Sequence, residues 1–255
     1  MHIPPASEPI SYPDDGNDLC FQWEDRSYWF RHRNDCILEL VRAFPPRGAI
    51  IDVGGGNGFV SRGLIDAGFE AIVVEPGPGA DNARRRGLPK VIRGTFAEAG
   101  FVRESLAAVG LFDVLEHIDD APTFLDTLHR HLVPAGRLYC SVPALGLLWS
   151  GEDVDAGHFR RYSETTLCAA LHDAGFDVEF ITHLFSWLVL PVLALRALPF
   201  RLGRERSVAA RAGDHAVSPA LHRVIATVNQ AERRRIQRLR PIPLGTSLLA
   251  VARRR

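Results

Sequence analysis

The stretch IIDVGGGNGF, Ile50 to Phe59, decides how the chain is read. An apolar run carrying one acid, a cluster of glycines and then a segment of helical spacing predict a strand, a tight loop and a helix. Glycines there let the backbone approach a ligand, and the helix N-terminus offers unpaired N–H groups. A dinucleotide fingerprint beginning at Gly54 requires a third glycine at position 59, where the sequence has Phe59. The pattern that is satisfied is Asp-x-Gly-x-Gly-x-Gly, formed by Asp52, Gly54, Gly56 and Gly58. A carboxylate at that strand end suits a cofactor with a cationic amino-acid moiety better than one with a pyrophosphate. Glu75 closes the next apolar run, VVEP, where an acid can accept both hydroxyls of a ribose.

Working outward, strands alternate with helices. GAIIDVG (48–54), EAIVVEP (70–76), PKVIRG (89–94), AAVGLFDVLEH (107–117) and GRLYCSVP (136–143) are short apolar runs with the look of buried parallel strands. FVSRGLIDAG has helical spacing at Val60, Leu64 and Ala67. DDAPTFLDTLHRHLVPAG starts at Asp120, carries an early Pro122 and predicts a helix ending at Gly136. SETTLCAALHDAGF starts at Ser163, runs Leu167 and Leu171 along one face and stops at Gly175. DVEFITHLF and GTSLLAVAR (245–253) predict the last two strands. This is a doubly wound α/β pattern. The connection of about sixty residues between the last two strands exceeds an ordinary loop and predicts structure of its own.

Composition narrows the partners. The 255-residue chain is 46% hydrophobic and has a formal net charge of zero, so its overall field gives no attraction for a polyanion. Cys20, Cys36, Cys140 and Cys168 lie far apart, form no zinc-type cluster and read as reduced thiols of a cytoplasmic protein. Residues 1–20 have no basic start and no apolar run, and read as a flexible arm rather than a secretory signal.

From Ala49 to Phe176 the chain resembles the class I S-adenosylmethionine-dependent methyltransferases, in particular the ubiquinone/menaquinone-biosynthesis-like group. IIDVGGGNGF, VVEP, LFDVLEHIDDAPTFLDTLHRHLVPAGRLYCSVP and GHFRRYSETTLCAALHDAGF carry the resemblance. It implies a Rossmann-like, seven-stranded, mostly parallel sheet with helices on both faces and an antiparallel last strand. The cofactor, S-adenosyl-L-methionine, with S-adenosyl-L-homocysteine as product, would lie across the carboxyl ends of the first strands. Asp52 and the glycines would line its methionine end, and Glu75 would bind the ribose. Thr95 and Phe96 occupy the place of the adenine-contacting segment, with Phe96 either on the ring or in the core. Phe112 to Ile118 would end the fourth strand beside the reactive methyl. The chain has DVLEHI where base-amine methyltransferases show an Asn/Asp-Pro-Pro-aromatic motif, so no nucleic-acid substrate is expected.

Methyl transfer from a sulfonium depends chiefly on in-line positioning, and a hydroxyl acceptor also needs a base. Two histidines fall on the carboxyl side of the sheet. His158 has Asp153 and Asp155 nearby to orient it, and His117 either acts there or caps the strand end. Asp155, Arg161 and Tyr162 are candidate acceptor contacts, with a local ion pair as the alternative for the arginine. No metal is expected, because DVDAGH finds no completing ligands in the sequence.

Two segments bear on the acceptor. Residues 21–46 read as a helical lid in which Trp29 and Arg33 could meet an apolar and an anionic group, or pack on the sheet. Residues 184–243 read as a helical insertion serving as lid, dimer element or membrane-surface element. Its start, FSWLVLPVLALRALPFRLG, is broken by Pro191, Arg196 and Pro199 and is no membrane span. Residues 47–183 with 244–255 form the expected cofactor domain. The sequence thus predicts a cytoplasmic or membrane-peripheral methyltransferase of a small, hydrophobic or lipid-like acceptor. Oxygen is favoured over nitrogen or carbon, a non-catalytic cofactor-binding protein is the rival, and the oligomeric state is undecided.

Overall fold

The structure is a computed structural model that describes residue 21, residues 23–204 and residues 219–255, with the side chains of 219–222 left aside. The expected N-terminal arm lies outside the described residues.

Seven strands form one sheet in the order β3-β2-β1-β4-β5-β7-β6. They are β1 (Ile50–Val53), β2 (Ala71–Glu75), β3 (Val91–Arg93), β4 (Leu106–Phe112), β5 (Leu132–Pro143), β6 (Phe176–Leu184) and β7 (Ser247–Arg254). β7 runs antiparallel to both β5 and β6, and the pairs among β1 to β5 are parallel. From β1 the chain winds one way through β2 and β3 and the other way through β4 and β5. The crevice outside the carboxyl ends of β1 and β4 is the place where such sheets bind ligands.

The two faces are covered by different helices. α1 (Tyr28–Ala43), α2 (Phe59–Asp66) and α9 (Pro219–Gln237) cover one face, where Cys36, Ile37, Leu40, Leu64 and Ile236 pack on Ile50, Ala108, Tyr139, Leu249 and Val251. α4 (Ala121–His131) and α6 (Glu164–Asp173) cover the other, where Leu125, Leu128, Leu167 and Leu171 meet Ile51, Val109, Leu138 and Ala250. α3 (Gly79–Arg85) covers Val73 through Ala83. Side-chain caps set several helix starts: Ser27 accepts from Trp29 N, Asp120 from Thr123 N and Ser163 from Thr166 N.

Two predicted elements end early. α4 stops at His131 rather than Gly136, and β5 begins at Leu132. Pro134 forces this, since it disfavours helical backbone at Val133 and supplies no amide for the ladder. Ala135 then takes φ +61°, and the pairing with β4 jumps from Leu106↔Leu132 to Ala108↔Arg137. β4 ends at Phe112 rather than continuing to His117, because Asp113 turns the chain at φ +59° into a 3-10 turn, Leu115–His117.

Past β6, an irregular helical run comprises a 3-10 turn (Ser186–Leu188), α7 (Val189–Val192), a π-helical turn (Leu193–Ala197) and α8 (Leu198–Arg201). One side of it, with Phe185, Val192 and Ala197, is buried. The other carries Leu190, Leu195, Leu198 and Leu202 into solvent. Among the described residues no helix is long and apolar enough to cross a membrane. α5 (Gly151–Asp155), a single capped turn, precedes the loop that holds His158.

Candidate functional site

The glycine loop joins β1 to α2 through three left-handed glycines, Gly54, Gly56 and Gly58, at φ +65°, +51° and +73°. A side chain at Gly58 would collide with the end of Leu88, at 2.2 Å from its Cβ, so both dihedral and space require glycine. Asn57, within the loop, is fixed by hydrogen bonds to Glu24 and Asn82, while Arg86 donates to its carbonyl.

Asp52 and Glu75 flank this loop. Asp52 is 1% exposed and accepts a 2.6 Å hydrogen bond from Ser61 Oγ, one turn into α2. Burial pushes its carboxyl up to about 6, against the opposing effects of Ser61 and Arg33. Glu75 accepts from the backbone amides of Gly56 (2.9 Å) and Gly77 (2.7 Å), and burial raises its carboxyl despite those bonds. Two carboxylates thus stand beside a glycine loop whose backbone can approach a ligand closely. Thr95 is bound locally, its amide and hydroxyl both donating to Glu98. Phe96 is buried in the core, packed against Phe101 and His131.

The end of β4 brings together residues distant in sequence. Phe112 is buried under the α1 face. Asp113 accepts from Ser141 Oγ at 2.8 Å and pairs with Arg33 of α1 at 2.7 Å. Glu116 is 1% exposed, and one carboxylate oxygen, Oε2, has no hydrogen-bond partner. Burial, reinforced by the charge of Asp113, drives its carboxyl well above the usual range. His117 lies against His158 with ring centroids 4.8 Å apart, and burial followed by the neighbouring His158 lowers it to about 4.

His158 Nδ1 lies 2.9 Å from Asp153 Oδ1, and the same carboxylate takes Arg161 Nε at 2.8 Å and the Ser150 amide at 2.9 Å. Burial pushes the Asp153 carboxyl up, but His158 and Arg161 more than offset it and hold it below its ordinary value. The acid on the His158 ring is Asp153, and Asp155 is exposed. Both Arg161 and Tyr162 have partners within the protein, and the arginine makes the local ion pair that was its alternative. Arg161 is committed to Asp153 and to the Ala144 carbonyl, and Tyr162 is buried with its hydroxyl facing the Leu115 carbonyl at 3.5 Å. On α1, Trp29 stacks on Phe185 with ring centroids 5.3 Å apart, and Arg33 pairs with Asp113 at the end of β4.

Sequence reasoning gave no role to Ser61, Asp113 or Glu116. Asp113 and Glu116 carried the available signal, two acids directly after a buried strand. The Asp153–His158 pair is the one the sequence offered, whereas the Arg33–Asp113 pair bridges a separation that periodicity does not register.

Comparison with known proteins agrees with this architecture. A family model described as a methyltransferase domain matches residues 25–180, more than half of the chain. A protein of Mycolicibacterium smegmatis named as a probable S-adenosylmethionine-dependent methyltransferase is 27% identical over 183 residues, covering 70% of this chain and 71% of that one. Among solved structures, phosphoethanolamine N-methyltransferase 2 of Haemonchus contortus, in complex with S-adenosyl-L-methionine, shares the fold at TM-score 0.58 and 14% identity over 96% of this chain and 58% of that one. An S-adenosylmethionine-dependent methyltransferase of Archaeoglobus fulgidus does so at TM-score 0.55 and 20% identity, over 89% of this chain and 100% of that one. The chain therefore belongs to the methyltransferase-domain family, as an S-adenosylmethionine-dependent enzyme of class I.

Proposed function

We propose that the chain transfers the methyl group of S-adenosylmethionine to a hydroxyl oxygen of a small, hydrophobic or lipid-like acceptor. The observation that carries this reading is the Asp153–His158 pair, an imidazole whose Nδ1 is held by a buried carboxylate while Nε2 remains to take a proton. In the proposed site Asp52 faces the cationic amino group of the cofactor, the glycine loop lies along its methionine end, and Glu75 exchanges its backbone amides for the ribose hydroxyls. Thr95 borders the adenine. The acceptor oxygen attacks the methyl carbon in line as its proton passes to His158; the carbon–sulfur bond breaks and S-adenosylhomocysteine leaves. Positioning does most of the work, and the base adds a factor of about 10²–10⁴.

The hydrophobic acceptor is supported by the exposed leucines of 184–202, which with Arg196, Arg201 and Arg204 and no acidic residue suit a peripheral contact with an anionic lipid surface. The test is S-adenosylhomocysteine formation with a panel of hydrophobic hydroxylated acceptors and their amine counterparts. His158→Ala should lower turnover by about 10²-fold or more while leaving cofactor affinity intact. Full activity in that variant, or turnover confined to amines, would overturn the oxygen reading.

A further inference from the structure

The sequence offers no metal-ligand cluster because its members stand in two separate segments, yet the fold assembles one. Glu116, His117 and His158 each present one ligand-type atom, and these atoms lie within 4.8 Å of one another. Two imidazoles and one carboxylate are the donor set of open, divalent transition-metal centres, in which further positions are left for water or substrate.

Three observations separate this cluster from a chance meeting of polar groups. First, Glu116 is 1% exposed and its Oε2 has no hydrogen-bond partner, a costly arrangement that a cation would relieve. Secondly, both rings already have a partner in the segment that carries His158. His158 Nδ1 is engaged by Asp153, and the His117 ring is hydrogen-bonded to the backbone of Gly157. Metal-bound histidines characteristically use one nitrogen in this way, which fixes the tautomer and turns the other toward the ion. Thirdly, the supports are themselves braced. Arg161 and the Ser150 amide hold Asp153, and Phe159 N donates to the Glu116 carbonyl at 2.8 Å, tying the two ligand-bearing segments together. An ion with ligand distances of about 2.0–2.2 Å needs the donor atoms closer than 4.8 Å, an approach on the order of 1 Å that side-chain rotation can supply.

We propose that Glu116, His117 and His158 bind one divalent transition-metal ion of the zinc class, with at least one coordination position open toward the crevice. The site deepens the reading given above but does not depend on the acceptor atom. With the ion bound, His158 Nε2 is a ligand. A hydroxyl acceptor in the open position would then bind as its anion, its proton passing to water, before the same carbon–sulfur bond is broken. Without the ion, His158 is the base.

The test is titration of the chelator-treated full chain with Co²⁺ and Zn²⁺, following the visible d–d bands of Co²⁺, their loss on Zn²⁺ addition, and the shift in thermal midpoint. One equivalent should bind and raise the midpoint. Glu116→Gln, which keeps the shape of the side chain, should weaken binding at least tenfold and abolish the thermal shift, and His158→Ala should do the same. Absence of stoichiometric binding by the parent chain, or equal binding by Glu116→Gln, would overturn the site. S-adenosylmethionine titrated into the same samples reports separately on the methyltransferase reading, so failure of one is not mistaken for failure of the other.

Discussion

Asp52 is costly to keep ionised. Its carboxyl is fully buried and raised from 3.8 to about 6, a gap worth on the order of 3 kcal/mol. The sign follows from proton linkage. Between those two values the folded chain holds a proton that the unfolded chain has released, so stability falls as pH rises through the window and levels off above about 6. Asp52→Asn should therefore be more stable than the parent at pH ~7, with the advantage shrinking toward pH ~4, as read by urea unfolding at several pH values. A difference that stayed constant with pH would remove Asp52 as its source. The cofactor's cationic amino group would offset the same cost, so Asp52→Ala or Glu75→Ala should weaken S-adenosylmethionine binding by about 1–3 kcal/mol. Proton release on binding near pH ~6, measured calorimetrically in buffers of different ionisation enthalpy, checks that the proton lost is this one; unchanged affinity in both variants would refute the placement of the cofactor.

Among the elements, α9 is tied to the domain by core packing of Ile236, by ion pairs of Arg233 with Asp35 and Glu39, and by one buried carboxylate. Glu232, 4% exposed, lies 2.9 Å from His32 Nε2 of α1 and accepts the amides of Phe185 and Ser186 and the Ser186 hydroxyl. Burial opposes its ionisation, but these partners outweigh it and lower the carboxyl below its ordinary value. Its contribution is therefore present above the usual carboxylate range and lost as pH falls through the folded value. Glu232→Ala would strand buried amides and should cost about 2–4 kcal/mol, measured by denaturant midpoint at neutral pH, with the deficit shrinking in acid. A loss below about 0.5 kcal/mol would mean that α9 is held by its packing and its other polar contacts rather than by Glu232. Nothing in the sequence marks Glu232, whose partners are fixed only when α1, β6 and α9 converge. The strands were legible because parallel strands buried on both faces are continuous apolar runs, and Asp52, Gly54, Gly56, Gly58 and Glu75 were legible because one strand-loop-helix and the end of its neighbour carry them. The end of β4 was not legible. Its polar residues read as more strand until Asp113 turns the backbone, and that turn is held by Ser141 and Arg33 from elsewhere in the chain.

For the whole molecule, the uneven distribution of charge and apolar surface matters more than the zero total. Leu190, Leu195 and Leu202 are 74%, 63% and 73% exposed along the run that follows β6, and Leu198 is 45% exposed beside them. Scattered exposed leucines are ordinary, but four between positions 190 and 202 concentrate exposed apolar surface on one segment. Arg196, Arg201 and Arg204 lie within the same segment. Arg196 pairs with Glu152 at 3.8 Å, and Arg201 donates to the Leu147 carbonyl, so this segment is fastened to the body at its basic residues while its leucines point away. Leucines burying themselves at the boundary of headgroups and acyl chains would make the contact an interfacial one, strengthened by anionic lipid where an arginine exchanges its partner in the body for a phosphate. The full chain should float with vesicles containing phosphatidylserine and bind those of phosphatidylcholine alone more weakly. Leu190→Asp combined with Leu202→Asp should reduce flotation at least tenfold while leaving S-adenosylmethionine affinity unchanged. Sedimentation of a dimer that dissociates in the double variant, without flotation in the parent, would reassign the leucine face to a second copy of the chain. Flotation unaffected by the double substitution would place any lipid contact elsewhere.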